Sequence, residues 1–496
     1  MRLVSPVSFP LDPVTAFGGF LRPALMAALT LFAAQVAFGA ELHEHDLATA
    51  AESILGADQG VYVETADGTV LLAQAAAKPV HPASVSKVPT TLALLRKLGP
   101  EHRFVTTFTA KGRVVDGTLY GDLIVASDGD PSLVDEDALL VAERLRQSGI
   151  SKIAGTLEVK GPLTFDWKTD GDGASLRRAL SGTTTPAALA AVRALLVLDA
   201  TSRTAGAAGA GAAAGGAGAA GAVGAAGAAG AAGAAGGVGA VATANVRRAG
   251  NVPSLAAGET LAPLGIRFFA STESSSLRAP PVAGGSALRV VQFDGEHPLI
   301  VHRSQQLLPL AKSLNDYSNN IFAPFAQAAG GAAAVEGLAR SVVPEEMRSE
   351  ITLGDGAGEN PTNRLSPRAA VKLLRVLEQE LAKSGHALYD ILPVAGVDDG
   401  TLHDRLNGPG EAGHVLGKTG TYGDYGASAL IGAIRTTDRG TVYFAILNHN
   451  VPVPQARHRQ DRFVRFLLSE LHTVPWTYQR DPRPAITRAE VAIMLP

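Results

Sequence analysis

Polar and hydrophobic residues alternate along residues 60–75, on both sides of an Asp-Gly pair. This period of two predicts a β-hairpin, because successive side chains of a strand point to opposite faces and Asp-Gly suits a tight turn. From Ser84 onward the period changes to that of an amphipathic helix. The hydrophobic positions that show this helical period are Val85, Val88, Leu92 and Leu95.

Two later sections of the chain mix strands and helices. Residues 104–159 contain short alternating runs, which predict strands around one helix with the sequence DEDALLVAERLRQSG. In residues 291–471 we predict helices near 305–328 and 366–384, followed by the strands HVLGKTG, GASALIGAI and TVYFAILNH. The mixture indicates an α+β protein rather than an all-helical or all-strand one.

Residues 204–243 differ in composition from the rest of the chain, since they are almost entirely Ala and Gly and carry no charge. Such a run has little surface to bury and many backbone states to lose on folding, so we expect a flexible insertion. The alternative is a silk-like sheet or an Ala-rich helix, and the high Gly content opposes the helix.

The N-terminus carries the pattern of an export signal. Arg22 precedes an apolar run at 24–40, in which Ala37 and Gly39 form a small-x-small cleavage site. We therefore expect residues 1–39 to be a signal peptide. An uncleaved membrane anchor is the alternative, because the run approaches the length that spans a bilayer.

Composition excludes several classes of function. The chain of 496 residues has a formal net charge of −3, which provides no global basic field for nucleic acid. It contains no Cys, and this excludes disulfides, thiolate metal sites and cysteine nucleophiles. A zinc site at His43, Glu44, His45 and Asp46 is disfavoured, because these residues directly follow the cleavage site, where a loose terminus is usual.

Ser84 and Lys87 stand three residues apart at the start of the predicted helix. Residues i and i+3 share a helix face, so the lysine amine can reach the serine hydroxyl. A desolvated lysine has a lowered pKa and can take the proton of a serine nucleophile. The alternative is a Ser cap followed by a solvated Lys, because a lone S-x-x-K occurs by chance about once in a chain of this length.

Two further short motifs change that balance. Lys418-Thr419-Gly420 leads into a predicted strand, where a cation and a hydroxyl can meet a substrate carboxylate and the glycine admits a close backbone approach. Ser318 and Asn320 stand two residues apart before an apolar helix, a pattern that by itself fits an N-cap cluster.

S-x-x-K, S-x-N and K-T-G in this order mark the serine penicillin-binding proteins and β-lactamases. More narrowly, the chain resembles the D-alanyl-D-alanine carboxypeptidase/endopeptidases, class C low-molecular-mass penicillin-binding proteins, in which a large inserted domain separates the first two motifs. Three other phrases resemble the same family: GTLYGDLIVASDGDPSL, GDGAGENPTNRLSPRAAVKLL and LPVAGVDDGTLHDRL. The resemblance covers roughly residues 55–470, apart from the Ala/Gly run.

The resemblance implies a role for each residue of the first two motifs. Ser84 would be the acylated nucleophile and Lys87 its general base. Ser318 would relay a proton to the leaving amine, and Asn320 would bind the substrate amide. The reaction would be acyl transfer in two steps.

The third motif would hold the substrate. Lys418 and Thr419 would bind the terminal carboxylate, and the backbone N–H groups of Ser84 and Thr421, the residue after Gly420, would form the oxyanion hole. The partners implied are peptidoglycan stem peptides as substrates and β-lactam antibiotics as covalent inhibitors. The resemblance requires no metal, organic cofactor or protein partner, and it implies a bacterial periplasm or cell envelope as the location.

The implied fold is a β-lactamase/DD-peptidase-like antiparallel sheet flanked by helices, with a large inserted strand-rich domain. We expect the DD-peptidase domain to comprise residues 40–103 and 291–472, and the inserted domain residues 104–290, including the Ala/Gly run. Residues 473–496 contain Pro and Arg and are expected to form a loose tail.

Three departures from the family pattern bear on activity. If the helix begins at Ser84, Pro89 removes an N–H from it and would kink it near the lysine. Where the family has Asp-Gly-Ser-Gly, this chain has Ala357 in place of the serine. The second motif also admits the register Tyr317-Ser318-Asn319, that of a class C β-lactamase, but the large insertion favours Ser318 and Asn320.

Two other functions compete with the peptidase. A non-catalytic wall-binding protein could keep the same fold, and Pro89 is its best argument. A serine β-lactamase would turn penicillin over instead of retaining it as an adduct. A Ser-His-Asp hydrolase is disfavoured, because the chain has no G-x-S-x-G elbow.

Overall fold

A computed structural model of the chain describes residues 46–197, 264–269, 290–318, 322–423, 426–481 and 489–494. The expected signal peptide, the Ala/Gly run and Asn320 lie outside these residues. Within the described part of the chain, no helix is both long enough and apolar enough to cross a membrane.

The elements alternate between helices and strands in chain order. The first half contains α1 (46–55), β1 (Gly60–Thr65), β2 (Val70–Gln74), a 3₁₀ turn (Ala83–Ser86), α2 (Lys87–Leu98), β3 (Val105–Val115), β4 (Thr118–Ser127), α3 (Asp135–Gln147), β5 (Lys152–Ile153), β6 (Leu157–Lys160), β7 (Thr164–Phe165), β8 (Lys168–Thr169), α4 (Ala174–Leu180) and α5 (186–197).

The second half begins with three strands and four helices, continues with three strands and one helix, and ends with two short strands. Its elements are β9 (Arg267–Phe268), β10 (Val291–Asp294), β11 (Ile300–Arg303), α6 (Leu307–Tyr317), α7 (Phe322–Ala328), α8 (Ala332–Ser341), α9 (Pro367–Ala382), β12 (Val415–Tyr422), β13 (Ala427–Thr436), β14 (Thr441–His449), α10 (Val453–Glu470), β15 (Thr473–Val474) and β16 (Glu490–Ile493).

The first sheet combines two strands from the first part of the chain with four strands from its last part. Its strands run in the order β12-β13-β14-β1-β2, all antiparallel, and β15 pairs with β13. The predicted hairpin is confirmed as β1 and β2, with an irregular register between Val63 and Glu64. β12, which carries the K-T-G motif, is therefore an edge strand.

Helices cover both faces of this sheet, and the side chains of β13 alternate between them. Ile431 packs in the core that includes α2 and α9, whereas Leu430 packs in the core that includes α1 and α10. A strand buried on both faces reads as a continuous apolar run, as GASALIGAI does. The α+β fold with an antiparallel sheet between helices is confirmed.

The inserted domain contains a second sheet in the order β16-β11-β3-β4-β5-β9, with β10 on β3 and β6 on β4. Its core lies between this sheet and α3 and α4. The expected boundary at residue 290 is corrected, because β10 and β11 both pair with β3 of the inserted domain. The sequence analysis named no strand in this region, and the choice of sheet depends on a partner strand about two hundred residues away in the chain.

The described residues of the expected loose tail, 473–481 and 489–494, include two short strands. β15 pairs with β13 of the first sheet, and β16 pairs with β11 of the second. Between them, the Trp476 and Tyr478 side chains pack against Tyr389. Strand pairing and aromatic contacts thus fix a segment whose composition alone predicted no regular structure.

Candidate active site

The serine of the S-x-x-K motif lies on a tight turn in front of α2. Ser84 is the second residue of the 3₁₀ turn, and Ala83 before it has a positive φ of 49°. The α-helix begins only at Lys87, so Pro89 is its third residue. The first N–H groups of a helix have no intrahelical acceptor. The missing N–H of Pro89 therefore costs no helical bond, and the expected kink is corrected.

The lysine of the motif is buried against the serine. Lys87 Nζ lies 2.7 Å from Ser84 Oγ and donates to the carbonyl oxygen of Ala357 at 2.6 Å. Its side chain has 0% exposure. Burial lowers the pKa of Lys87 to about 8, against the opposing charges of Glu359 and Asp355. Since the carbonyl takes one N–H, the lone pair of the neutral amine is available to the serine proton.

The loop that holds the Ala357 carbonyl is organised by Asp355. Its carboxylate accepts the backbone N–H groups of Ala357, Gly358, Glu359 and Asn360. Gly358 must be a glycine, because a Cβ there would lie 2.8 Å from Ser84 N. The loop contributes a main-chain oxygen, which Ala357 supplies as well as a serine would.

The second motif begins at the end of α6. Ser318 caps this helix with a left-handed φ of 56°, and its Oγ lies 2.6 Å from Lys418 Nζ. Lys418 also donates to the carbonyl oxygen of Thr419 at 2.9 Å and has 0% exposure. Burial and the charge of Lys87 lower the pKa of Lys418 well below its usual value, against the opposing charge of Asp316.

The K-T-G strand lies directly beside the nucleophile turn. A Cβ at Gly420 would lie 2.7 Å from Pro82 O, so only glycine permits this approach. Gly417 N donates outward, to Pro393 O at 3.0 Å, on the edge of β12 that faces away from β13. The N–H groups of Thr419 and Thr421 point to the same open edge, because they follow at intervals of two.

Thr401 links the K-T-G strand to α6, the helix that ends at Ser318. Thr419 Oγ1 donates to Thr401 Oγ1 at 2.8 Å, and Thr401 N donates to the Asp316 carbonyl oxygen at 2.8 Å. Thr401 belongs to the stretch LPVAGVDDGTLHDRL, which resembles the family but to which the sequence assigned no role. The structure therefore brings all the predicted site residues that it describes to one place.

His81 belongs to the site but was missed from the sequence. Its Nδ1 accepts the N–H of Ala83 at 3.1 Å, its Nε2 lies 3.0 Å from the Asn360 carbonyl oxygen, and its ring stacks on Tyr422 at 3.9 Å. The first partner can only donate and the second can only accept, which defines the neutral Nε2–H tautomer. The sequence offered one sign of this role, which is that His81 stands three residues before the nucleophile Ser84.

Comparisons with known proteins agree with this geometry. The family model described as the D-Ala-D-Ala carboxypeptidase 3 (S13) family matches residues 42–208 and 282–469. A D-alanyl-D-alanine carboxypeptidase from an Actinomadura strain is 28% identical, over 92% of this chain and 88% of its own length. A carboxypeptidase from Mycolicibacterium smegmatis is 28% identical over 41% of this chain and 44% of its own.

Solved structures share the fold at low identity. A predatory endopeptidase from Bdellovibrio bacteriovorus, acylated by penicillin G and bound to an immunity protein, matches 88% of this chain and 99% of its own, with 18% identity and a TM-score of 0.59. Penicillin binding protein 4 from Haemophilus influenzae matches 87% of this chain and 99% of its own, with 17% identity and a TM-score of 0.50.

The fold is an antiparallel sheet between helices, with a strand-rich domain inserted in its sequence. Together with a serine that lies beside a buried lysine, it defines a serine DD-peptidase of the penicillin-binding class. The chain belongs to the D-Ala-D-Ala carboxypeptidase 3 (S13) family. The resemblance drawn from the three motifs is confirmed, and so is the expectation of a hydrolase.

Proposed function

We propose that the enzyme hydrolyses the D-Ala-D-Ala ends of peptidoglycan stem peptides, or the D-Ala cross-links between them, through an acyl-enzyme at Ser84. The observation that carries this proposal is the buried Lys87 amine, 2.7 Å from Ser84 Oγ. A serine hydroxyl is a weak nucleophile until a neighbouring base removes its proton. A lysine with a pKa of about 8 is neutral often enough near pH 7 to act as that base.

In the first step, Ser84 Oγ attacks the carbonyl carbon of the penultimate D-Ala while its proton passes to Lys87 Nζ. The N–H groups of Ser84 and Thr421 bind the oxyanion that develops on the carbonyl oxygen. The support for Thr421 is its place on the open edge of β12, beside the nucleophile turn.

The C–N bond then breaks, and the leaving amine takes a proton from Ser318 Oγ. Ser318 Oγ is reprotonated by the proton that Lys87 Nζ took from Ser84, while Lys418 Nζ, 2.6 Å from Ser318 Oγ, donates a hydrogen bond to that oxygen. Asn320 is proposed to bind the substrate amide. Water then hydrolyses the Ser84 ester, which releases the shortened peptide and restores the hydroxyl.

The same steps serve a carboxypeptidase and an endopeptidase, since the two reactions differ only in the amine that leaves. We place the enzyme in the bacterial periplasm or cell envelope, where peptidoglycan is found and where the apolar run at 24–40 would direct the chain. β-Lactams are proposed to acylate Ser84 as substrate mimics.

Intact-mass spectrometry after incubation with benzylpenicillin tests this proposal. We expect a persistent adduct of one penicilloyl group on the parent protein and none on Ser84→Ala. Incubation with a stem peptide that ends in D-Ala-D-Ala should release one D-Ala from the parent alone.

The alternatives give different results in the same experiment. A serine β-lactamase would convert the penicillin to penicilloate with rapid turnover and without a lasting adduct. A non-catalytic wall-binding protein would form no adduct although circular dichroism showed a folded chain. Either result would overturn the peptidase proposal.

A further inference from the structure

The lysine expected to bind the substrate carboxylate is already engaged by two other groups. Lys418 Nζ is completely buried and contacts Ser318 Oγ and the Thr419 carbonyl oxygen. Burial and the charge of Lys87 both disfavour its protonated form. A carboxylate bound at this edge therefore needs another cation.

Arg457 is placed to supply that cation. It lies in the first turns of α10 and has an exposed side chain. Its Nη2 donates to Thr421 Oγ1 at 2.8 Å. Because the hydroxyl accepts from the guanidinium, its own proton remains free for an acceptor on the substrate side.

The guanidinium of Arg457 has no carboxylate partner in the part of the chain that the structure describes. Asp461, one turn further along α10, is taken by Arg405, whose Nε and Nη2 lie 2.9 and 2.7 Å from Asp461 Oδ1. Partial burial and the charge of Arg405 lower the pKa of Arg457, against the opposing charge of Asp461. A cation beside a second cation and without a counter-ion favours the binding of an anion.

The reach fits a peptide held at Thr421. In a D-Ala-D-Ala end, the terminal carboxylate is three bonds from the scissile carbonyl carbon, a separation of about 4 Å or less. The backbone N–H and the side-chain hydroxyl of a single residue span that distance. A carbonyl oxygen on Thr421 N would thus leave the carboxylate near Thr421 Oγ1 and Arg457.

We propose that Arg457 is the specificity-determining cation of this enzyme, which binds, together with the Thr421 hydroxyl, the carboxylate attached to the carbon next to the leaving nitrogen. This inference rests on the proposed function. It predicts that any leaving group with a free carboxylate at that carbon is accepted, whether a terminal D-Ala or the D-centre of a cross-linked diamino acid. Amidation of the carboxylate would remove recognition.

The experiment compares a diacylated L-Lys-D-Ala-D-Ala peptide with its C-terminal amide, on the parent, Arg457→Gln and Arg457→Lys. Arg457→Gln should lower kcat/KM for the acid roughly 10- to 100-fold, mainly through KM, and leave kcat/KM for the amide nearly unchanged. Arg457→Lys should restore part of the loss. Acylation by benzylpenicillin should fall in Arg457→Gln, but acylation by its methyl ester should not.

Arg462→Gln is the matched control, because Arg462 is an exposed arginine on another face of α10. Equal loss on the acid and the amide in Arg457→Gln, or no preference of the parent for the acid, would overturn the inference while leaving the peptidase intact. A parent that forms no penicilloyl adduct and releases no D-Ala would overturn both proposals. Thermal unfolding of each variant shows whether a loss of activity is caused by misfolding. A misfolded variant would also be acylated more slowly by the methyl ester.

Discussion

Two lysine side chains are completely buried within the same catalytic cleft, Lys87 and Lys418. Removing an ammonium group from water is costly, so burial favours the neutral amine of both residues. Their charges also oppose each other, as the lowered pKa of Lys418 reflects. Lys87 is therefore prepared to accept the serine proton, and Lys418 holds Ser318 Oγ through a hydrogen bond.

We expect acylation of Ser84 to depend on the protonation of Lys87. Its pKa is about 8, and only the neutral amine can act as a base. The second-order rate constant for benzylpenicillin should therefore rise about tenfold per pH unit below pH 8 and level off above it. Stopped-flow measurement of acylation between about pH 6 and pH 9.5 checks this, and a flat profile would exclude Lys87 as the base.

His81 should act as a positioning residue, because it contacts the nucleophile turn, the Asn360 carbonyl oxygen and the Tyr422 ring. In His81→Phe the ring can still stack, but both hydrogen bonds are lost. We expect kcat/KM to fall roughly 10- to 100-fold with an unchanged fold.

The conservative variant His81→Asn separates positioning from packing. Its side-chain oxygen can accept the Ala83 N–H that Nδ1 accepts in the parent, so part of the activity should return. Full activity in His81→Phe would show that the two ring hydrogen bonds have no effect on the turn. A nitrogen-15 spectrum of the ring should also report the neutral Nε2–H tautomer.

At the scale of elements, the site depends on the close approach of β12 to the turn before α2. The strand is at the edge of its sheet, so one row of its N–H groups faces the cleft. Glycine at position 420 allows the contact with Pro82. An oxyanion hole requires this proximity, because its two donors come from different elements.

Gly420→Ala tests the approach directly. The added Cβ would lie 2.7 Å from Pro82 O and 3.1 Å from Ala83 Cβ, so the strand has to move outward. We expect a stability loss of about 1–3 kcal/mol and a fall in acylation rate of about 100-fold. Chemical denaturation and penicillin acylation measure the two effects.

Gly337→Ala is the control for this substitution, since a Cβ at Gly337 meets nothing within 4 Å and the residue lies in helix α8. It should leave acylation unchanged and stabilise the helix slightly. Equal acylation rates in Gly420→Ala and Gly337→Ala would contradict the role given to the close contact.

At the scale of the whole molecule, the inserted domain has its own sheet and core, and a buried charge cluster lies within it. His302 on β11 lies 3.3 Å from Asp130 Oδ2 and 3.2 Å from Asp137 Oδ1. Burial lowers the pKa of His302, but Asp137 and Asp130 outweigh it and raise the value to about 10. The cluster ties β11, α3 and the segment after β4 together.

The stability of the protein should therefore decrease at alkaline pH through His302. A histidine with a raised pKa stabilises the fold fully below its unfolded value of about 6.5, and this contribution is lost as the pH approaches about 10. At pH 6, His302→Gln should cost about 3–5 kcal/mol relative to the parent.

Urea unfolding at several pH values measures this difference between the parent and His302→Gln. The difference should shrink as the pH rises from 6.5 towards 10, because the parent histidine loses its proton over that range. A difference that stays constant with pH would show that the imidazole is neutral in the fold.

The sequence by itself determined the chemistry of the site and the class of the fold. Ser84 and Lys87 are linked by helical spacing, which is a local property that no distant contact has to supply. The alternation in β1 and β2 and the apolar runs after residue 414 likewise predicted strands that the structure contains. Three short motifs in a fixed order then indicated the family.

Only the tertiary structure decided how these elements meet. β10 and β11 join the inserted sheet, and Lys418 contacts Ser318 Oγ and the Thr419 carbonyl oxygen. His81 and Arg457 enter the site through contacts with other segments. Periodicity shows which face of an element is buried, but partner choice depends on packing between residues far apart in the chain, and that information is not local.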